Sequence, residues 1–188
     1  MSKHIGIVAC SPPGAALCYQ AILTEAAATG MNPEVSMHAH PFLVYMSHIE
    51  SSDWKKVADL MLSSAEKLTR AGVEFLIAPC NTIHHAFEMV SSCSPLPWLH
   101  IADEVASAAR RSGYRRLALL GTRKTMEGNV YPVRLAAADI EFLVRVEQNR
   151  SALCCTELPL LFGETLTRLP LRDSTRILAT AALRRTTC

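Results

Sequence analysis

The chain lacks a CxxC pair, a long apolar run, an excess of one charge and any low-complexity stretch, and each absence removes a class of function. Its seven cysteines, at 10, 18, 80, 93, 154, 155 and 188, are odd in number and lie mostly inside apolar segments. A disulfide framework would need paired spacings, so they read as reduced thiols, and a cytoplasmic location is expected. No uninterrupted apolar segment approaches the roughly 18 residues that cross a bilayer. Ile5 to Cys10, following Lys3, superficially suggests a secretory signal, but Pro12, Pro13 and Gly14 end it early, and it reads as a strand with its loop. Lys and Arg number 19 against 17 Asp and Glu, and the basic residues are scattered rather than striped. The formal charge of +2 therefore gives no electrostatic case for nucleic acid or an acidic membrane surface.

What is present is a chain of 188 residues, 49% of them hydrophobic, able to bury a sizeable core as one domain or two small ones. Residues 5–9 read as a strand, 14–28 as a helix, 34–38 as a strand and 75–78 as a third strand. Between the last two, Val57, Leu60, Met61, Ala65 and Leu68 give 54–71 a helical spacing that Gly72 closes. A further helix begins within 83–89, and Pro95 and Pro97 bracket a break. The pattern then restarts, with helix at 103–112, strand at 117–120, loop at 121–125, helix at 126–137, and strands at 140–144 and 152–155.

This alternation predicts an α/β fold of two similar parallel-sheet βαβ units. The units are expected at 1–97 and 98–164, and 165–188, helical in parts, is expected to return to the first. Only residues 145–151 join the last two strands, whereas a parallel crossover takes about 10–12 residues or more. Either that pair is antiparallel or a crossover helix is missing. Every other connection has its helix, so the second unit is expected to be shortened.

Two segments carry the chemistry: Phe75-Leu-Ile-Ala-Pro-Cys80-Asn81-Thr82 and Ala152-Leu-Cys-Cys155-Thr156-Glu157. In each, an apolar run of strand length stops at a cysteine followed by small polar residues, as when a buried parallel strand delivers a thiol to the mouth of a sheet. Two such thiols suit a site with one sulfur on each side of a substrate, removing a proton from one face and returning it to the other. A Cα proton is very weakly acidic, so the base must be held at hydrogen-bonding distance and the developing carboxylate charge stabilised. Cysteine suits the base role because its reference pKa of about 8.5 is readily lowered at a helix N-terminus. A lone strand-end cysteine is more often a small buried hydrophobe, the reading given to Cys10, Cys18, Cys93 and Cys154.

Three motifs occur in order, each after a strand: Cys80-Asn81-Thr82 with His84, Leu120-Gly121-Thr122 followed by Thr125-Met126-Glu127, and Cys155-Thr156-Glu157 with Leu158-Pro159. With them the sequence resembles the aspartate/glutamate racemase family of cofactor-independent amino-acid racemases. The resemblance implies a two-domain α/β protein with the active site between the domains, commonly a homodimer, acting on a small amino acid with no cofactor and no metal. It implies Cys80 and Cys155 as the acid/base pair, and Ser11, Asn81, Thr82, Thr122, Thr125 and Thr156 as substrate-binding residues. The chain departs from the family at Ala9-Cys10-Ser11-Pro12-Pro13, where relatives have a glycine-rich loop. It also has no arginine before Arg70, leaving His38, His40 and His48 as the possible cations of 32–53, so the substrate side chain stays open.

Other readings are a carbon-acid isomerase or decarboxylase needing one cysteine, and an inactive homologue that binds a small carboxylate. Zinc ligation by Cys80, His84, His38 and His40 lacks a compact ligand set. The Thr122 loop lacks the GxxxxGK[ST] pattern of a nucleotide cradle. His84 reads as a neighbour of Cys80, His85 as solvated, Arg123 and Lys124 as surface charges, and Trp54 and Trp98 as core or interface aromatics.

Overall fold

A computed structural model describes residues 2–143, 152–154 and 171–187. In chain order the first unit contains β1 (Ile5–Ala9), α1 (Pro12–Ala28), β2 (Val35–Ala39), α2 (Phe42–Glu50), α3 (Trp54–Arg70) and β3 (Phe75–Ile77). A 3-10 turn (Thr82–Ala86) then runs into α4 (Phe87–Ser91), followed by β4 (Trp98–Leu99) and α5 (Ile101–Arg111). Next come β5 (Arg116–Leu119), α6 (Arg123–Glu127), α7 (Pro132–Ala137), β6 (Glu141–Leu143), β7 (Ala152–Cys154), β8 (Leu171–Asp173) and α8 (Ser174–Thr186).

The strands form two four-stranded sheets, β2-β1-β3-β4 and β6-β5-β7-β8, and every neighbouring pair is parallel. The second order repeats the first, strand for strand. β3 and β7 thus hold equivalent central places, and the segments leaving them lead to Cys80 and Cys155.

β1 is buried along its whole length because both faces of its sheet are covered. On one face Ile5, Ile7, Phe75 and Ile77 pack with Cys18 and Ile22 of α1 and Leu178 and Ala182 of α8. On the other, Val8 and Leu76 meet Tyr45 of α2 and Val57, Met61 and Ala65 of α3. In the second unit, Leu117 and Leu119 pack against Val105 of α5 and Tyr131 and Leu135. α3 shows why the elements begin and end where they do. Asp53 caps it by accepting from the Lys56 N–H at 3.2 Å, and Gly72 takes φ +84° beyond its last turn.

The structure corrects three expectations. Helix α2 lies in a segment left unassigned, because its Phe42, Leu43 and Val44 are exposed and only Tyr45 and Ile49 are buried, which erases the apolar period. The helix expected over 126–137 is two short helices, separated by an extended Gly128 and restarted at Pro132. The antiparallel alternative for the last strand pair also falls. β6 and β7 flank β5, both parallel to it, through Ala118↔Leu143 and Ala118↔Ala152. The connection itself lies outside the described residues.

Candidate active site

Cys80 is half-buried, three residues past the end of β3, and packs against the Tyr45 and Met61 face of the core. The turn that presents it is held from behind by His84, whose Nε2–H donates to the Ala78 carbonyl at 3.0 Å. His84 is 3% exposed and meets the ring of His100 edge-on at 4.6 Å and that of Phe87 stacked at 5.8 Å. Burial pushes the His84 imidazole down to about 4, against a smaller opposing effect of the Ala78 carbonyl. His100 follows β4 and caps α5, its Nδ1 accepting from the Ala102 N–H at 3.2 Å. Burial, then the neighbouring His84 and Arg134, push it down to about 2. Both imidazoles are thus held neutral at pH 7, and His84 holds the turn through the Ala78 carbonyl.

Asn81, the next residue, is 3% exposed and spans the two units. Its Oδ1 accepts from the Tyr131 hydroxyl, and its Nδ2 donates to Ser174 Oγ at 3.3 Å. Tyr131 caps α7 and Ser174 opens α8, so the residue beside Cys80 is fixed by the starts of two later helices. Three expected binding residues come together next to it. Thr82 Oγ1 lies 3.4 Å from Thr125 Oγ1, which lies 3.1 Å from Thr122 Oγ1. Thr122 also caps α6 by accepting from the Thr125 N–H at 3.4 Å. The result is a continuous row of hydroxyls drawn from both units.

A second contact closes the same seam. His85 Nε2–H donates to the Lys124 carbonyl at 3.2 Å, and the His85 ring stacks on Trp54 at 4.6 Å and 26°. The Lys124 ammonium donates to Ser52 Oγ at 2.6 Å and lies 5.6 Å from the Trp54 ring centre. His85 is thus a half-buried bridge rather than a solvated residue, and Lys124 is a bridging cation rather than a plain surface charge. The seam is tight enough that Gly128 is required for space. A Cβ there would fall 2.3 Å from the His85 ring and 2.5 Å from the Lys124 carbonyl oxygen.

Ser11 follows Cys10 at the end of β1, is 5% exposed, and caps α1 by accepting from the Gly14 N–H at 3.4 Å. Cys10 is 2% exposed and belongs to the apolar core. Cys155 and Thr156 lie outside the described residues, and β7 ends one residue before Cys155. The topological repeat extends to the caps: Ser11 and Thr122 follow equivalent strands, His100 follows β4 and Asp173 ends the equivalent β8, and each caps the next helix. Sequence reasoning missed Tyr131 and Ser174. Asp173-Ser174-Thr175 before an apolar run is a helix-start signal that could have located Ser174, whereas nothing local marks Tyr131.

Among the described residues, no three of His, Cys, Asp or Glu are grouped to hold a metal ion. His38 instead meets Ser64 Oγ at 3.0 Å and Lys67 at 3.1 Å. No helix among the described residues is long and apolar enough to cross a membrane.

Residues 7–154 match the profile of the Asp/Glu/Hydantoin racemase family. The broad specificity amino-acid racemase RacX of Bacillus subtilis (strain 168) is 28% identical over 100 residues, which are 53% of this chain and 42% of that protein. The match thus spans less than half the length of that relative. An aspartate racemase homologue from Pyrococcus horikoshii OT3 has a similar structure, with a TM-score of 0.85 and 21% identity over 100% of both chains. An aspartate racemase from Picrophilus torridus gives 0.81 and 17% identity, covering 98% of this chain and 94% of that one. At these identities the two structures speak for the fold alone.

Proposed function

This chain belongs to the Asp/Glu/Hydantoin racemase family, and from that premise we propose that it is a cofactor-independent amino-acid racemase in which Cys80 and Cys155 act on opposite faces of the substrate Cα. The carrying observation is the repeated strand order. The strand leading to Cys155 has the same place in its sheet as the strand leading to Cys80, and hydroxyls of both units meet beside Cys80.

In this reading one sulfur is a thiolate and takes the Cα proton, while the opposed thiol gives its own proton to the other face. The sulfurs leave the turnover with exchanged protonation states, and the reverse reaction uses them in exchanged roles. Charge spreading into the substrate carboxylate is met by Thr82, Thr122 and Thr125, with Ser11, Asn81 and Thr156 completing the binding set. Asn81 contributes chiefly by fixing the turn, since its side-chain amide is engaged by Tyr131 and Ser174. The two units are 1–97 and 98–164, with 165–188 returning to the first, and the protein is a cytoplasmic homodimer.

The test is chiral chromatography of a panel of L- and D-amino acids incubated with wild type, Cys80→Ser and Cys155→Ser. Racemisation by the wild type alone, with a bell-shaped dependence on pH, supports the two-thiol pair. Activity that survives Cys155→Ser would point to a one-cysteine carbon-acid enzyme. No conversion by folded wild type would leave a protein that binds a small carboxylate.

A further inference from the structure

We propose that Cys10 and Cys80 are a redox pair, joined under oxidation by a reversible disulfide that withdraws Cys80 from the site. The effect on activity rests on the catalytic role proposed for Cys80, but the bond itself does not.

Three observations carry the pairing. First, β1 and β3 are adjacent parallel strands with Ile7 and Ile77 as Cα partners, and each cysteine comes three residues later. The ladder ends at that pair, and if the two segments keep the interstrand spacing of about 4.8 Å over the next three residues, their Cα atoms lie inside the range of about 4.4–6.8 Å that a disulfide spans. Second, the thiols share a face of the sheet. Cys10 belongs to the core cluster of Val8, Tyr45 and Met61, and Cys80 packs against the same cluster. Cys18 lies on the opposite face, among Ile5, Ile22 and Leu178. Third, both sulfurs bear on one group. Burial and the charges of Cys10 and Cys80 all oppose ionisation of the fully buried Tyr45.

Exposure assigns the order of events. Cys80 is half-buried and open to a small oxidant, whereas Cys10 is 2% exposed. The oxidant is hydrogen peroxide. The Cys80 thiolate attacks one peroxide oxygen, the O–O bond breaks, hydroxide leaves, and Cys80 becomes a sulfenic acid. The Cys10 sulfur then attacks the Cys80 sulfur, the S–O bond breaks, and the oxygen departs as water with the Cys10 proton. Two thiols are oxidised to one disulfide, and one peroxide is reduced to two waters. A dithiol reductant reverses the bond, so Cys10 would protect Cys80 from the irreversible sulfinic state.

The experiment treats wild type, Cys10→Ser and Cys80→Ser with hydrogen peroxide, alkylates remaining thiols, and digests with trypsin without reductant. Cleavage after Lys3, Lys55, Arg70 and Arg110 puts Cys10 with Cys18 in one region and Cys80 with Cys93 in another. The expected result is a cross-link between these regions, about 2 Da lighter than the sum of its reduced peptides, formed by wild type and by neither variant. Wild-type racemisation falls as the link forms and returns with dithiothreitol, while peroxide-treated Cys10→Ser does not recover. Wild type whose Cys80 is oxidised or alkylated with no link to Cys10 overturns the proposal. A link that leaves racemisation unchanged would overturn the role of Cys80 instead, so the two failures are distinct.

Discussion

Replacing Tyr131 by Phe isolates the bond that fixes the residue beside Cys80. The ring stays, so no cavity opens in the core it shares with Leu117 and Leu135, and only the hydroxyl donating to Asn81 Oδ1 is lost. Tyr131 is 0% and Asn81 3% exposed, so water cannot readily replace that donor. A buried acceptor left without its partner costs about 1–3 kcal/mol. In a chain of this size each kcal/mol lowers Tm by about 2–4 °C. The assay is urea denaturation at pH 7, where the midpoint should fall with the slope unchanged. Ser174→Ala removes the 3.3 Å partner on the other side of the same amide and should cost less. A cycle of Tyr131→Phe with Asn81→Ala should give a coupling of about 0.5–3 kcal/mol. A Tyr131→Phe protein within about 0.5 kcal/mol of wild type, with no coupling to Asn81, would refute this account of the seam.

Acid should destabilise the fold through its buried imidazoles. His84 is held near 4 in the folded chain against 6.5 unfolded, so the unfolded state binds more protons below pH 6.5. Its share of stability is complete above pH 6.5 and declines by about 3 kcal/mol as pH falls to 4. Asp103, Glu104 and Asp173, raised by burial, oppose part of this loss. An NMR titration placing His84 near 6.5 in the folded protein would contradict it. Gly128→Ala should destabilise by about 1–3 kcal/mol, since the new methyl meets His85 and a backbone carbonyl. Gly113→Ala, at φ +73° with nothing within 4 Å, should show only the left-handed backbone cost of about 1–2 kcal/mol. Thermal melts compare the two, and a Gly128→Ala protein as stable as wild type would sink the steric argument. In alkylation at pH 8 followed by mass spectrometry, exposed Cys93 should react early. Cys18, pushed up to about 12 by burial and then by Asp173, should stay unmodified until the protein unfolds.

The parts of the fold most legible in the sequence are those whose signals are local. β1 and β3 are short apolar runs because their sheet is covered on both faces, and α3 writes its buried face into a helical period. The cysteine-bearing turn at 80–82 and the Thr122 loop were legible as strand ends followed by small polar residues. α2 was not, because its Phe42, Leu43 and Val44 face outward and leave no period to read. The seam was illegible for another reason: Asn81 finds its partners 50 and 93 residues away, and His85 finds Lys124 39 residues away. Such pairs exist only once two sheets have folded and met, and no local pattern encodes them.

The central claim is that Cys80 and Cys155 work as a pair on opposite faces of one Cα. The direct measurement is deuterium entry at Cα, followed by NMR in D₂O over a panel of L- and D-amino acids, for wild type and for Cys80→Ser and Cys155→Ser. The account predicts that wild type inverts at least one amino acid with solvent deuterium at Cα, and that either substitution abolishes inversion. Inversion that persists without one of the two sulfurs, or folded wild type that exchanges no amino acid, would contradict it.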